Sequence, residues 1–133
     1  MKLKTLALTI LMISFIIPAA MAQEDVVTMD IARFVLCEDI QDREPVNILE
    51  NVPPGIDKIY AFLEAKNISA DTRVNFVWLF EGEEVGSVDL RVAEGSRWRT
   101  FSSKKLTGRQ GAWRVELQDP SGTVLAAIDF TVQ

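Results

Sequence analysis

Every second residue from Val74 to Phe80 in the stretch RVNFVWLF is large and apolar: Val74, Phe76, Trp78 and Phe80. A period of two places all four on one face of a β-strand and denies them the common stripe that a 3.6-residue helix would need. The period recurs. In Val85–Val92, Val88, Leu90 and Val92 fall together with Asp89 and Arg91 opposite; Trp113, Val115 and Leu117 share a face in Ala112–Leu117. In Thr123–Val132, Val124, Ala126, Ile128, Phe130 and Val132 do the same. Met29–Cys37 is β-rich and largely apolar. Ile59–Lys66 (IYAFLEAK) reads as a strand, although its Ala, Leu and Glu also permit a helical turn. EGEE, AEGS and DPSG separate these runs, and in DPSG proline presets φ while glycine is free to take φ > 0. EDIQDREPVN and NVPPGIDK read as polar breaks. About seven strands with short turns predict an all-β fold: a single antiparallel β-sandwich of immunoglobulin-like type. The Cys…Trp…Cys signature of antibody domains is absent, and a small barrel is the alternative.

The chain opens differently. MKLKT carries Lys2 and Lys4, Leu6–Ile17 is a 12-residue run that is apolar apart from Thr9 and Ser14 and is broken by Pro18, and Ala20-Met21-Ala22 offers a small-residue cleavage site. That order is a secretory signal peptide. The run is shorter than the roughly 20 residues of a spanning helix. Cleavage near Ala22 leaves residues 23–133 as one domain, periplasmic or secreted, which meets the membrane only through its transient leader. No Cys follows the small residues, so a lipid anchor is not expected. Cys37 is the only cysteine, so no internal disulfide can form. Within Phe34-Val35-Leu36-Cys37 it reads as a buried small hydrophobe, with an intermolecular disulfide as the other option.

With no histidine in the chain, the commonest general base and metal ligand is missing. There is no nucleophile elbow, P-loop or glycine-rich nucleotide turn. We expect no catalytic residues, no cofactor and no metal. The acid clusters Glu38-Asp39 with Asp42 and Glu44, and Glu81 with Glu83 and Glu84, lack calcium-loop spacing and read as solvated turns. Asn67-Ile68-Ser69 is a glycosylation sequon, relevant only in a host that glycosylates.

Charge is distributed unevenly. Residues 23–94 hold 16 acids and 6 bases, whereas residues 95–115 hold Arg97, Arg99, Lys104, Lys105, Arg109 and Arg114 and no acid. A basic stripe with aromatics favours nucleic acid, but export argues against that ligand. An anionic glycan, a lipid phosphate or an acidic protein of the envelope fits better. The candidate ligand-binding residues are Arg97, Arg99, Lys104, Lys105 and Arg43. Arg43, next to Glu44-Pro45, suits bidentate capture of a carboxylate or phosphate, or an intrachain salt bridge that fixes its loop.

Alternation divides Arg97–Leu106 (RWRTFSSKKL). Trp98 and Thr100 point one way; Arg97, Arg99 and Phe101 point the other. If Val85–Val92 and Arg97–Ser103 form a hairpin with Leu90 opposite Trp98, then Asp89 meets Arg99. Trp98 is then expected to be buried, with Arg97 and Arg99 exposed.

REPV (Arg43–Val46), NFVWLFEGEEVGSVDLRV (Asn75–Val92), RWRTFSSKKL and GAWRVELQDPSGTVLAAIDFTV (Gly111–Val132) follow one another in an order that resembles a bacterial family, domain of unknown function 2914. The resemblance runs over about Val27–Val132 and implies a single exported or membrane-attached module with no assigned activity. Members often carry a histidine two residues before the middle tryptophan. Here that position is Phe76, so any metal or acid–base role of that histidine does not transfer. The expected function is a noncatalytic binding module for an unknown envelope partner. A structural accessory domain of an envelope complex is the alternative, and a carboxylate-based hydrolase comes third.

Overall fold

The computed structural model describes residues 26–133; the expected signal peptide falls outside the described residues. Eight strands follow one another: β1 (Asp30–Gln41), β2 (Glu44–Leu49), β3 (Lys58–Ile68), β4 (Thr72–Phe80), β5 (Glu83–Val92), β6 (Gly95–Lys105), β7 (Gly111–Gln118) and β8 (Val124–Val132). They form two four-stranded sheets, ordered β2-β1-β3-β6 and β5-β4-β7-β8, with every strand pair antiparallel. With β2 set aside, the orders correspond to A-B-E and C′-C-F-G in immunoglobulin lettering.

The alternating residues meet as expected. Phe76 and Trp78 lie across from Leu117 and Val115, and Phe80 across from Trp113. Trp113 in turn lies across from Phe130. These side chains pack against Leu36, Ile59, Ala61 and Leu63 of the first sheet in one core. Removing each large apolar side chain from water contributes about 1.5–3 kcal/mol. Trp78 crosses between sheets: its indole N–H donates to Ser102 Oγ at 3.1 Å. That bond explains a buried serine on the inner face of β6. IYAFLEAK lies in β3, so the strand reading holds against the helical one.

The fold has one strand more than the expected seven. In REPV, read as part of a polar break, Glu44-Pro45-Val46 is the start of β2. It follows β1 through a two-residue turn, with Asp42 and Arg43 both at positive φ (49° and 60°), as a type I′ hairpin requires. Gln41 lies opposite Glu44 in this hairpin. Eight residues of straight strand, at about 3.4 Å each, would hold Glu44 some 27 Å from Arg33. Instead Glu44 sits 2.7 Å from the Arg33 guanidinium. The hairpin therefore bends back over the outer face of its own sheet. This bend buries Phe62 (1% exposed) and Cys37 (0%), whose positions along β3 and β1 turn away from the main core. Cys37 is buried as expected, and burial pushes its thiol up to about 11.

The expected β5–β6 hairpin does not form. β5 is an edge of the second sheet and β6 an edge of the first. β6 pairs with β3 instead, placing Arg99 opposite Glu64 and Trp98 opposite Ala65. Asp89 is consequently taken by Arg73, at 2.9 Å.

Candidate functional site

The outer face of the first sheet carries a row of ion pairs contributed by all four strands. Arg33 on β1 reaches Glu64 on β3 through both Nε and Nη2. It also forks onto Glu44 on β2, at 2.7 and 3.0 Å. Arg99 on β6 closes the row on Glu44 Oε1 at 2.6 Å. The Arg33 guanidinium lies 4.9 Å above the ring of Phe62, so the row rests on an apolar floor. Arg33, then Arg99, hold the Glu44 carboxyl down at about 2, and Arg33 lowers Glu64 as well. Both acids stay ionised at any ordinary pH.

Beside this row is a pocket of about 330 Å³, lined by Arg43, Phe62, Arg97, Arg99 and Phe101 among others. Arg43 comes from the tip of the bent hairpin and the rest from β3 and β6. Arg97 and Phe101 stand at alternate positions on the outer face of β6 and are exposed, Phe101 at 44%. Among the described residues, neither Arg43 nor Arg97 has a carboxylate in ion-pair contact; Glu44 and Glu64 are taken by Arg33, Arg99 and Lys66, and Arg97 acts on Glu64 only at longer range. Arg99 is divided between the two settings, since it lines the pocket while its charge is met by Glu44.

The five residues singled out from sequence therefore separate. Arg43, Arg97 and Arg99 come together around one pocket. Lys104 turns to the inner side of β6, where its ammonium donates to the Val85 carbonyl at 2.8 Å. Gly86 leaves room for it; a Cβ there would stand 2.9 Å from Lys104 Nζ. Lys105 lies far along the strand opposite Lys58. Arg97 is exposed as expected, but Arg99 is half-buried, at 19%. Trp98 is only partly buried, because β6 is an edge strand, and its indole N–H is enclosed without an acceptor. Such a deficit costs about 1–3 kcal/mol. The salt bridge expected of Arg43 is made by its neighbour Glu44. Arg33, Glu64 and Phe62 had no signal in the sequence, since their roles depend on the hairpin bending over them.

Residues 71–132 match a family described as a protein of unknown function, DUF2914. Over that segment the chain is similar to the DUF2914 family. The DUF2914 segment takes in β4 to β8, and so Arg97, Arg99, Lys104 and Lys105. It is shorter than the Val27–Val132 span of the resemblance, and Arg43, Glu44 and the rest of REPV lie before it. No curated protein matches the chain. Among solved structures, a β-glucosidase from Listeria innocua superposes with a TM-score of 0.50 at 8% identity, over 80% of this chain and 16% of the enzyme. A β-glucosidase from Kluyveromyces marxianus gives a TM-score of 0.48 at 14% identity, over 81% of this chain and 14% of the enzyme. The chain thus spans less than a fifth of either enzyme's length. The Listeria likeness concerns the sandwich fold alone.

Proposed function

We propose that this domain is an exported, noncatalytic binding module that takes an anionic group between Arg43 and Arg97. The observation that carries this reading is the charge imbalance at the pocket. Arg43 and Arg97 both line it, and neither has a carboxylate within ion-pair distance among the described residues, although the protein as a whole carries 19 acids and 14 bases. A guanidinium matches a carboxylate or phosphate with two parallel hydrogen bonds, and Phe101 offers an apolar wall beside it. The noncatalytic part rests on the carboxylates. The two that converge, Glu44 and Glu64, share Arg33 and are both pushed down. A glycosidase-type acid needs the opposite shift.

The test is retention of the purified protein on an immobilised polyphosphate resin, read as the salt concentration of elution. The Arg43→Ala/Arg97→Ala double variant should elute at markedly lower salt than the wild type, and Lys105→Ala close to it. Unchanged elution of the double variant removes this reading.

A further inference from the structure

The pocket borders an open sheet edge. β6 pairs with β3 on one side only, so alternate residues of β6 point backbone N–H and C=O groups away from the sheet. Near Lys104 the edge is closed off by the contact with Val85 of β5. Among the described residues, no backbone bond to another segment fills it over residues 96–102. An open edge is a template for another strand.

We infer that β6 accepts an extended acidic peptide of a partner protein as an added strand, with one acidic side chain of that peptide seated at Arg97 and Arg43. This rests on the anion-binding reading of the same pocket and names its ligand class. Arg97, Arg99 and Phe101 stand at every second position on the outer face of β6. A strand laid alongside presents its own alternate side chains to that face, each opposite one of these. Arg99 is already matched by Glu44. The pattern for the guest is therefore an acid opposite Arg97 and an apolar residue four positions away, opposite Phe101. The spacing is the same whether the guest runs parallel or antiparallel.

Charge also decides against pairing of two β6 edges from two copies of this chain. β6 carries Arg97, Arg99, Lys104 and Lys105 and no acid, and two such edges brought together would oppose like charges.

The experiment uses the full chain and an acetylated ten-residue peptide that alternates valine with polar residues. It carries a glutamate and a phenylalanine four positions apart on one face. Controls replace the glutamate with lysine, or two valines with proline, which removes edge N–H groups and keeps the charge. Anisotropy should show the glutamate peptide binding at least tenfold more tightly than either control, and amide hydrogen exchange should slow within residues 96–102. Charge reversal by Arg43→Glu and Arg97→Glu should invert the preference toward the lysine peptide. If the proline peptide binds as well as the parent, strand addition is wrong while anion binding stands. Capture on phosphatidylglycerol vesicles without peptide binding overturns the inference in favour of a lipid surface. Failure to bind both the peptide and polyphosphate overturns both readings.

Discussion

The two outer faces of the sandwich handle positive charge in different ways. On the second sheet, Arg73 takes Asp89 at 2.9 Å, Arg91 takes Asp71 at 3.6 Å, and Arg114 lies between Glu116 and Asp129 at 2.9 and 3.0 Å. Each arginine there meets an acid from its own strand, a neighbouring strand or the turn leading into one, and most of these groups are well exposed. On the first sheet, Arg33, Glu64, Glu44 and Arg99 come from four strands and are joined only because the β1–β2 hairpin bends. That network uses up Glu44 and Glu64 and leaves Arg43 and Arg97 unmatched beside it. A face neutralised rung by rung has nothing left to offer an anion. A face whose acids are drawn into a structural clamp keeps spare cations next to an apolar floor.

The sharpest test of this contrast is stability. Arg33→Ala leaves Glu64, only 6% exposed, with Lys66 at 3.8 Å as its remaining ion-pair partner, and strips the cover from Phe62. We expect a loss of about 3 kcal/mol in urea unfolding. Arg114→Ala, on the open face, should lose less than about 1 kcal/mol. Equal losses would dissolve the distinction between the faces.

Ligand binding should separate from stability. Arg43→Ala/Arg97→Ala is expected to change unfolding free energy by no more than about 0.5 kcal/mol while weakening retention on polyphosphate strongly. Arg73→Ala and Arg91→Ala should leave retention unchanged.

Acid addresses the clamp directly. The Glu44 carboxyl is lowered from 4.5 to about 2, so the folded state favours its ionised form. That contribution is complete above pH 4.5 and is lost as the pH falls through about 2. Tm should drop across this window, and Glu44→Gln should flatten the drop in part, because Glu64 is lowered too. A Tm profile for Glu44→Gln that overlays the wild type would place the acid sensitivity elsewhere.

The smallest effect is expected at Lys105. It stands opposite Lys58, so Lys105→Ala removes a repulsion and should move stability by less than about 0.5 kcal/mol, with retention near wild type. A large loss of retention would extend the binding face along β6.

Much of the sandwich was legible in the chain. Period-two runs at Val74–Phe80, Trp113–Leu117 and Val124–Val132 state which side of each strand is buried, because the pleat turns successive side chains to opposite faces. The same rule separated Trp98 from Arg97 and Arg99. The lack of histidine and the lone cysteine narrowed the chemistry, and the cluster of cations after Gly95 marked the right strand. REPV was harder to read, since Pro45 and two charged residues resemble a loop, and a type I′ turn formed by Asp42-Arg43 lacks the usual glycine.

Alternation determines a strand's inner face but says nothing about its neighbour, because backbone N–H and C=O groups pair with any strand that comes alongside. For that reason only the tertiary structure decided that β6 lies against β3 and not β5, giving Asp89 to Arg73 and Glu44 to Arg99. The bend of the β1–β2 hairpin is of the same kind. It joins residues 11 and 55 positions apart around one carboxylate, and it is this closure that leaves Arg43 and Arg97 facing a shared pocket.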